Sequence, residues 1–579
     1  MQLQMKPIGL GPLRASKPTV CPVRVQASTH TGTRSRVLPI FNNLKPVFGT
    51  GVAPRPAPVV LKRHVSSAAA ASVAAGSPAG EPALPKASQT AKIVSLGALF
   101  FCSTFCYTIL QNLKDSIVVT AVGAEALPFL EAYGVLPLSV CFFMIYGWMN
   151  KTLPDKWVYQ AALTPFLAFY ALFAAVLYPA AATLHPVHLL ESIRSALPAG
   201  LVGLAGMVVH WSYSLFFCIA ELWGGVAISL LFWGLADEVC SISDAKNVYP
   251  LLGIIANVGL VAAGAWIKNV NNSLAVGNSV LAVQLLVGTI LTMAVFLMTV
   301  KGWVYDNFVP TTGAEAEEAH RKKEARLKKE KEADSTPKGG LGDSLGVLKR
   351  NPKVGNLAVL VVGYFIVQKL FDFAWKAQLR VFYPQPAAYQ SALADVAQWT
   401  GIVTMVLMAT SKYVFQWGGW TAAALATPLA MLVSGSLFFT SAVAMQGGAG
   451  ALPPQVVGTL IGVGSIAGMV GRVMTRAPKY SLFDPAKEMV YITMSKEEKN
   501  EGKATVDLVG AYFGKSGASW IMQALVLITG SMVKAMPIMG LAHVLVSLAW
   551  VKSTLSLGAM MKGTDEAHGH GAAAPAAAA

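Results

Sequence analysis

Twelve stretches of about twenty mostly apolar residues recur along this chain, and they constrain its fold more than any other feature. A helix needs about twenty apolar residues to cross the hydrocarbon core of a bilayer. Only 13% of the residues are charged, whereas soluble domains carry about a quarter. The pattern therefore predicts an all-α polytopic membrane protein with about twelve transmembrane helices. The predicted spans are 93–113, 127–148, 157–180, 209–235, 248–268, 279–303, 354–374, 393–415, 421–445, 455–472, 510–533 and 536–552.

A charged segment from about Asp306 to Asp343 divides the predicted spans into two groups of six. It mixes Lys, Arg and Glu without an apolar stripe, which indicates a solvated linker. We predict an N-terminal half at 93–303, a linker at 304–350 and a C-terminal half at 354–553. With an even number of spans in each half, the linker and both termini lie on one side, and the basic residues favour the side from which the chain inserts.

Both ends of the chain differ in composition from the predicted spans. Residues 1–80 contain ten Lys or Arg, no Asp or Glu, and many Ser, Ala and Pro. This composition is typical of a removable organelle-targeting segment, here favouring a plastid, although a retained basic tail is the alternative. Because the basic excess lies in this segment and in loops, no nucleic-acid partner is predicted. Residues 561–579 are rich in Gly, His and Ala and are predicted to be disordered.

The two predicted halves share a short internal repeat. The sequences YTILQNLKD at 107–115 and YFIVQKLFD at 364–372 place Tyr, Ile, Gln, Leu and Asp at the same spacing, near the end of the first span of each half. Parallel repeats of six spans are the plan of major-facilitator transporters, with the substrate near the midplane between the halves. We therefore predict a major-facilitator-like fold of two six-helix halves, in which Lys114, Asp115 and Asp372 face the central cavity.

Ionisable residues within or next to the predicted spans are candidates for a binding site, because a charge at mid-bilayer costs about 2.5–3.5 kcal/mol. Several cations together would suit a phosphorylated anion, and the acids would hold those cations while the site is empty. Structural interpretations stay open: span-end cations can snorkel to headgroups, Asp372 and Lys376 can form a local i,i+4 pair, and Glu221 can fix helix register by pairing with a Lys. The candidate substrate-binding residues are Lys114, Glu221, Asp372, Lys376, Arg472 and Lys515.

The sequence gives no sign of an enzyme active site. Its six cysteines form no metal-binding spacing with histidines. The sequence GAYFGKS at 510–516 resembles a phosphate-binding loop, but it has three residues between the glycines instead of four and leads directly into a predicted span. No enzymatic activity, metal or cofactor is therefore predicted.

Long motifs occur in a fixed order between residues 93 and 553. Residues 113–147 begin LKDSIVVTAVGAEALPFLEAYG, residues 163–179 read LTPFLAFYALFAAVLYP, residues 220–264 begin AELWGGVAISLLFWGLADEV, and residues 480–518 begin YSLFDPAKEMVYITMSKEEKNEGKATVDLVGAYFGKS. Together these motifs resemble the nucleotide transporter family, which comprises the plastid and intracellular-bacterial ATP/ADP translocases.

The resemblance implies an antiporter in the plastid inner envelope membrane that exchanges ATP for ADP, with phosphate moving alongside ADP and without hydrolysis. The family's functional charges would fall at Lys114, Glu221 and Lys515. The family's acid in the seventh-span motif, a Glu before a Trp-Lys pair, falls at Asp372, a shorter acid three residues before Trp375. Two alternatives stay open: a uniporter or proton symporter of nucleotides or other phosphorylated metabolites, and a membrane structural protein that has lost transport.

Overall fold

A computed structural model describes residues 89–240, 242–309, 341–448, 453–510, 514 and 517–571 of the 579-residue chain. Every regular element among these residues is helical, which confirms the all-α prediction. The predicted targeting segment, most of the charged linker and Lys515 lie outside the described residues.

Long apolar helices form the body of the protein, and ten of the described helical stretches can cross a membrane by length and composition. The N-terminal half comprises α1 Gln89–Ala121, α2 Ala124–Thr152, α3 Lys156–Leu177, α4 Trp211–Val239, α5 Val248–Leu274 and α6 Ser279–Phe308. The C-terminal half comprises α7 Pro352–Phe382, α8 and α9 within the stretch Pro386–Gly448, α10 Pro454–Pro478, α11 Gly517–Thr529 and α12 Met532–Gly571.

The first residues of α7 carry a local helix-start signal. The Asn351 side chain accepts hydrogen bonds from the backbone N–H groups of Lys353 and Val354 at 3.1 and 3.3 Å. Pro352 occupies the first helical position, where its missing N–H costs no hydrogen bond. The Asn351 cap and Pro352 together explain why α7 begins at this point, directly after the linker.

The stretch Pro386–Gly448 contains two spans. A straight helix of this length would extend about 90 Å, about three times the hydrocarbon core of a bilayer. Gly419 interrupts it with a φ of 68°, a left-handed conformation that favours glycine. We call the segment before Gly419 α8 and the segment after it α9. With these two counted separately and the shorter α11 included, the described helices are consistent with the predicted twelve spans.

Several helices extend beyond the bounds that hydropathy predicts. Helix α1 continues to Ala121 and α7 to Phe382, past the charged residues at which the apolar runs stop. The charged residues there, such as Asp115 and Lys376, are buried by other helices, so they do not end the helix. Helix α12 reaches Gly571, inside the tail that composition predicts to be disordered.

Helices α1 and α7 are the most buried of the candidate spans, with 72% and 67% of their most apolar windows buried. Each half also has its own apolar core. The core of the N-terminal half includes Phe216, Trp223 and Leu286, and the core of the C-terminal half is built around residues such as Phe371. This second core also takes in Val118 of α1, so the two halves share apolar packing near the end of that helix.

The two halves are joined near the ends of α1 and α7. Asp115 pairs with Lys376, and further along both helices Arg380 donates a hydrogen bond to the Thr120 carbonyl at 3.1 Å. The two helices therefore run in the same direction. Because α7 begins just after the linker, both end on the side of the helix bundle away from the linker, which we call the far end.

Candidate functional site

Six charged side chains form a continuous series of ion pairs across the interface between the halves, and we call these residues the charge chain. They come from α4, α1, α7 and α10, and acids alternate with bases. The successive N–O distances are 3.1 Å for Glu221–Lys114, 2.8 Å for Lys114–Asp115, 2.8 Å for Asp115–Lys376, 3.2 Å for Lys376–Asp372 and 2.6 Å for Asp372–Arg472. Three acids and three bases give the charge chain a formal charge of zero.

The charge chain is buried except at one end. The Glu221 side chain is 32% exposed, whereas the other five side chains are 3–10% exposed. Charges in such surroundings interact far more strongly than charges in water, and leaving one of them unpaired is costly. An approaching ion therefore reaches the Glu221 end first, and any ion that binds further in must replace an existing ion-pair partner.

The internal repeat explains how the two central acids meet. Asp115 and Asp372 occupy equivalent positions of the repeat, on helices that run in the same direction. Lys376 lies one turn after Asp372 on α7, so it can pair with Asp372 at i,i+4 spacing and reach Asp115 on α1 as well. One ammonium group thus lies between two equivalent carboxylates, one from each half.

Helix α10 packs closely against α7 because glycine occupies the contact positions. An added Cβ at Gly471 would clash with the Phe371 ring, and one at Gly468 would lie 2.7 Å from Trp375. Small residues of this kind allow membrane helices to approach each other. The approach brings the Arg472 guanidinium to Asp372 and over the Trp375 ring, 5.4 Å from its centroid.

Arg472 retains hydrogen-bonding capacity after these contacts. Its Nε and Nη1 groups are buried and have no hydrogen-bond partner among the described residues. Buried donors without a partner are rare in folded proteins and call for an explanation. A planar guanidinium with free N–H groups matches the oxygen atoms of a carboxylate or phosphate, so Arg472 is equipped to hold an additional anion.

Aromatic and amide groups position the exposed end of the charge chain. The Lys114 ammonium lies 4.1 Å from the centroid of the Phe217 ring, and Gln111 donates to Glu221 at 3.1 Å. The indole N–H of Trp223 donates to the Ser103 carbonyl at 3.3 Å, and its ring is fully buried. Trp223 therefore serves helix packing.

A second group of polar residues also joins the halves, and the sequence patterns did not indicate it. Glu131 of α2 pairs with Lys369 of α7 at 2.5 Å and accepts a hydrogen bond from Ser519 of α11 at 2.8 Å. Nearby, Gln523 donates to the Pro128 carbonyl at 3.0 Å. The available signal was Lys369, a cation that the internal repeat places inside a predicted span at the position of Asn112.

The structure brings five of the six candidate residues into one connected group: Lys114, Glu221, Asp372, Lys376 and Arg472. The sixth, Lys515, lies outside the described residues. Asp115, which the repeat identified but the candidate set did not include, completes the connection. That these residues bind substrate stays a prediction.

Two groups of membrane-spanning helices that enclose buried, mutually compensating charges define a carrier for an ionic solute. Residues 86–560 match the sequence profile of the TLC ATP/ADP transporter family. The chain belongs to this family of ATP/ADP transporters, which is the family that the motifs of the sequence resemble.

Named relatives agree with this assignment. The chain is 35% identical over 477 residues to ADP,ATP carrier protein 1 of Chlamydia trachomatis, covering 80% of this chain and 88% of the relative. It is 34% identical over 473 residues to the chloroplastic ADP,ATP carrier protein 1 of Arabidopsis thaliana, covering 80% and 73%. It is 33% identical over 506 residues to the plastidic ATP/ADP-transporter of Solanum tuberosum, covering 84% and 78%. The chloroplastic relatives and the multiple spans support a plastid membrane protein.

Solved structures of transporters align over most of the chain at low identity. The nucleoside transporter NupG is 13% identical with a TM-score of 0.44, covering 80% of this chain and 98% of that one. A bacterial homologue of the iron transporter ferroportin in an inward-facing state is 12% identical with a TM-score of 0.47, covering 80% and 98%.

Proposed function

We propose that this protein exchanges ATP for ADP, with phosphate accompanying ADP, across the plastid inner envelope membrane by alternating access, and that it converts no substrate chemically. The observation that carries the proposal is the charge chain: it is buried, neutral and shared by both halves, and its exposed end lies at Glu221. The names of the chloroplastic and chlamydial relatives supply the nucleotide pair.

Phosphate groups are the part of a nucleotide that the charge chain is suited to bind. Lys114, Lys376 and Arg472 supply three cations within one connected group. A phosphate oxygen can take the place of a carboxylate oxygen at each of them, because both are anionic hydrogen-bond acceptors. The free N–H groups of Arg472 add donors that need no displacement. Lys515, next to the start of α11, is proposed as a further cation.

Alternating access requires the far-end contacts to open. The far end is held by hydrogen bonds such as those from Arg380 to the Thr120 carbonyl and from Gln523 to the Pro128 carbonyl. Each such bond contributes only about 1 kcal/mol, so a rocking motion of one half against the other can exchange them for contacts at the linker end. Sites at the interface of two repeats are reached from either side in this way.

The test is uptake of labelled ATP by proteoliposomes that contain the purified full-length protein. Uptake is expected when ADP or ATP is loaded inside and is expected to stay near background with buffer alone inside. Uptake that ignores internal nucleotide but follows a pH gradient would instead establish a proton symporter. A folded protein without any nucleotide flux would favour the structural alternative.

A pair of variants connects the flux to the charge chain. Lys114→Ala removes a buried cation and is expected to abolish most of the exchange. Lys412→Ala removes an exposed lysine near the end of α8 and is expected to leave exchange unchanged. Equal activity of both variants would show that Lys114 is not part of the site.

A further inference from the structure

The charge chain passes from one half to the other at a single acid, Asp115. Its Oδ1 atom pairs with Lys114 of the same helix, and its Oδ2 atom pairs with Lys376 of α7, both at 2.8 Å. Within the described part of the chain, the ion pairs of Asp372, the equivalent acid of the other half, are with Lys376 and Arg472 of its own half. Two acids at equivalent positions of the repeat therefore make different connections.

The position of Asp115 along its helix decides what its ion pair does during transport. Asp115 lies six residues before the end of α1, and Lys376 lies six residues before the end of α7. Both therefore lie toward the far end, about 9 Å from the ends of their helices at 1.5 Å per residue. When the far end opens, the ends of α1 and α7 separate, and the Asp115–Lys376 pair has to break.

Breaking this pair without a replacement partner would leave Asp115 paired with Lys114 alone and Lys376 paired with Asp372 alone. Each buried charge would lose one of its two partners, which is unfavourable. A phosphate group changes the balance, because it carries the same sign of charge as Asp115 and also accepts hydrogen bonds from an ammonium group. A phosphate that binds Lys376 therefore competes directly with Asp115. Binding of the ligand and release of the inter-half ion pair become one event.

We propose that Asp115 is the coupling residue of the carrier. Its ion pair with Lys376 keeps the ends of α1 and α7 together in the empty protein, and a phosphate group of the bound nucleotide breaks this ion pair. The proposal rests on the proposed function and adds the reason for obligate exchange. The empty carrier does not reorient, because the inter-half pair reforms when the nucleotide leaves. A nucleotide must bind before the next reorientation.

The transport test compares exchange with net efflux from proteoliposomes loaded with labelled ATP. The wild-type protein should release label only when ADP is present outside. Asp115→Asn should release label into nucleotide-free medium, with the ratio of exchange to net efflux falling at least about tenfold, a difference of about 1.4 kcal/mol. Asp115→Glu retains the carboxylate and should retain coupling.

The matched control is Asp395→Asn. Asp395 of α8 pairs with Lys268 of α5 at 2.6 Å, so it also joins the halves, but its side chain is 34% exposed and it lies outside the charge chain. The Asp395→Asn variant should still release label only when ADP is present outside. Asp372→Asn should show no net efflux, because the ion pairs that it breaks lie within one half.

A second measurement detects the effect of the Asp115–Lys376 ion pair without measuring transport. It also applies if Asp115→Asn does not insert or fold. Thr120→Cys and Arg380→Cys place a cysteine pair at the far end, on a background with the native cysteines replaced. Oxidative crosslinking should be fast in the empty protein and slow with ATP. Lys376→Gln, which breaks the same ion pair from α7, should make crosslinking slow without ATP.

Two results would overturn the proposal. One is a folded Asp115→Asn variant that remains fully coupled, or that loses exchange without gaining net efflux. The other is crosslinking that does not respond to Lys376→Gln. Absence of nucleotide exchange by the wild-type protein would refute the proposed function instead. The crosslinking measurement would still report whether the Asp115–Lys376 ion pair keeps the ends of α1 and α7 together.

Discussion

The two halves contribute opposite charges to the same site. The N-terminal half supplies Glu221, Lys114 and Asp115, a formal charge of −1, and the C-terminal half supplies Lys376, Asp372 and Arg472, a formal charge of +1. The repeat thus preserves the position of one acid in each half while the cations differ. The halves therefore attract each other electrostatically, and phosphate should bind mainly to the C-terminal half.

The largest effect is expected for Arg472→Ala, which removes the excess positive charge of the C-terminal half and leaves Asp372 without its closest partner. ATP binding should weaken at least about tenfold, and stability should fall by about 3–5 kcal/mol, as for other broken buried pairs. Binding and thermal unfolding of the purified protein measure both. Arg472→Lys should recover stability better than binding, because an ammonium lacks the planar N–H groups. Undiminished binding by Arg472→Ala would place the phosphates elsewhere.

A smaller effect is expected when α10 is moved away from α7. Gly471→Ala places a methyl group against the Phe371 ring, and overpacking of this kind costs about 1–3 kcal/mol. Because Arg472 follows directly, the KM for ATP should rise as stability falls. Gly462→Ala is the control, since an added Cβ there meets no atom within 4 Å. Identical behaviour of the two variants would contradict the close-packing interpretation.

Glu221→Gln tests the N-terminal half, and its effect on ATP binding should be opposite to that of Arg472→Ala. Removing this acid leaves the charge chain with a net positive charge, so ATP should bind more tightly and leave more slowly. Because Glu221 is partly exposed, the gain should be about 1 kcal/mol. Equilibrium binding and turnover, measured on the same preparation, should change in opposite directions. Weaker binding would mean that Glu221 contacts the ligand directly as an acceptor.

The smallest effect is expected for Lys268→Met, which breaks the partly exposed pair between α5 and α8. Exposed ion pairs contribute about 0.2–1 kcal/mol, so thermal stability should change little. The KM and the coupling should not change. A large loss of exchange would show that the halves are not held mainly by the charge chain.

Much of the fold followed from the sequence, because long apolar runs and a repeated motif leave few alternatives in a membrane. The ends of α1 and α7 could not be predicted from the sequence, because the apolar runs stop at charged residues that other helices bury. Two candidate residues, Asp372 and Lys376, were paired from their spacing alone. The pairing of Asp115 with Lys376 depends on how the halves pack together, which no local pattern encodes.

Glu131 shows the same limit. In the sequence it reads as an ordinary acid near the start of a span, and only the structure brings it to Lys369 and Ser519. Both of its partners lie in the other half, more than 200 residues away along the chain. Such contacts depend on how the two halves pack together, which no local pattern encodes.

Obligate exchange means that nucleotides cross the membrane only against one another. The most direct measurement follows labelled ATP entering and differently labelled ADP leaving the same proteoliposomes. We predict that the two fluxes are equal at every time point and that neither occurs without nucleotide on the opposite side. Entry of ATP without exit of ADP would rule out obligate exchange.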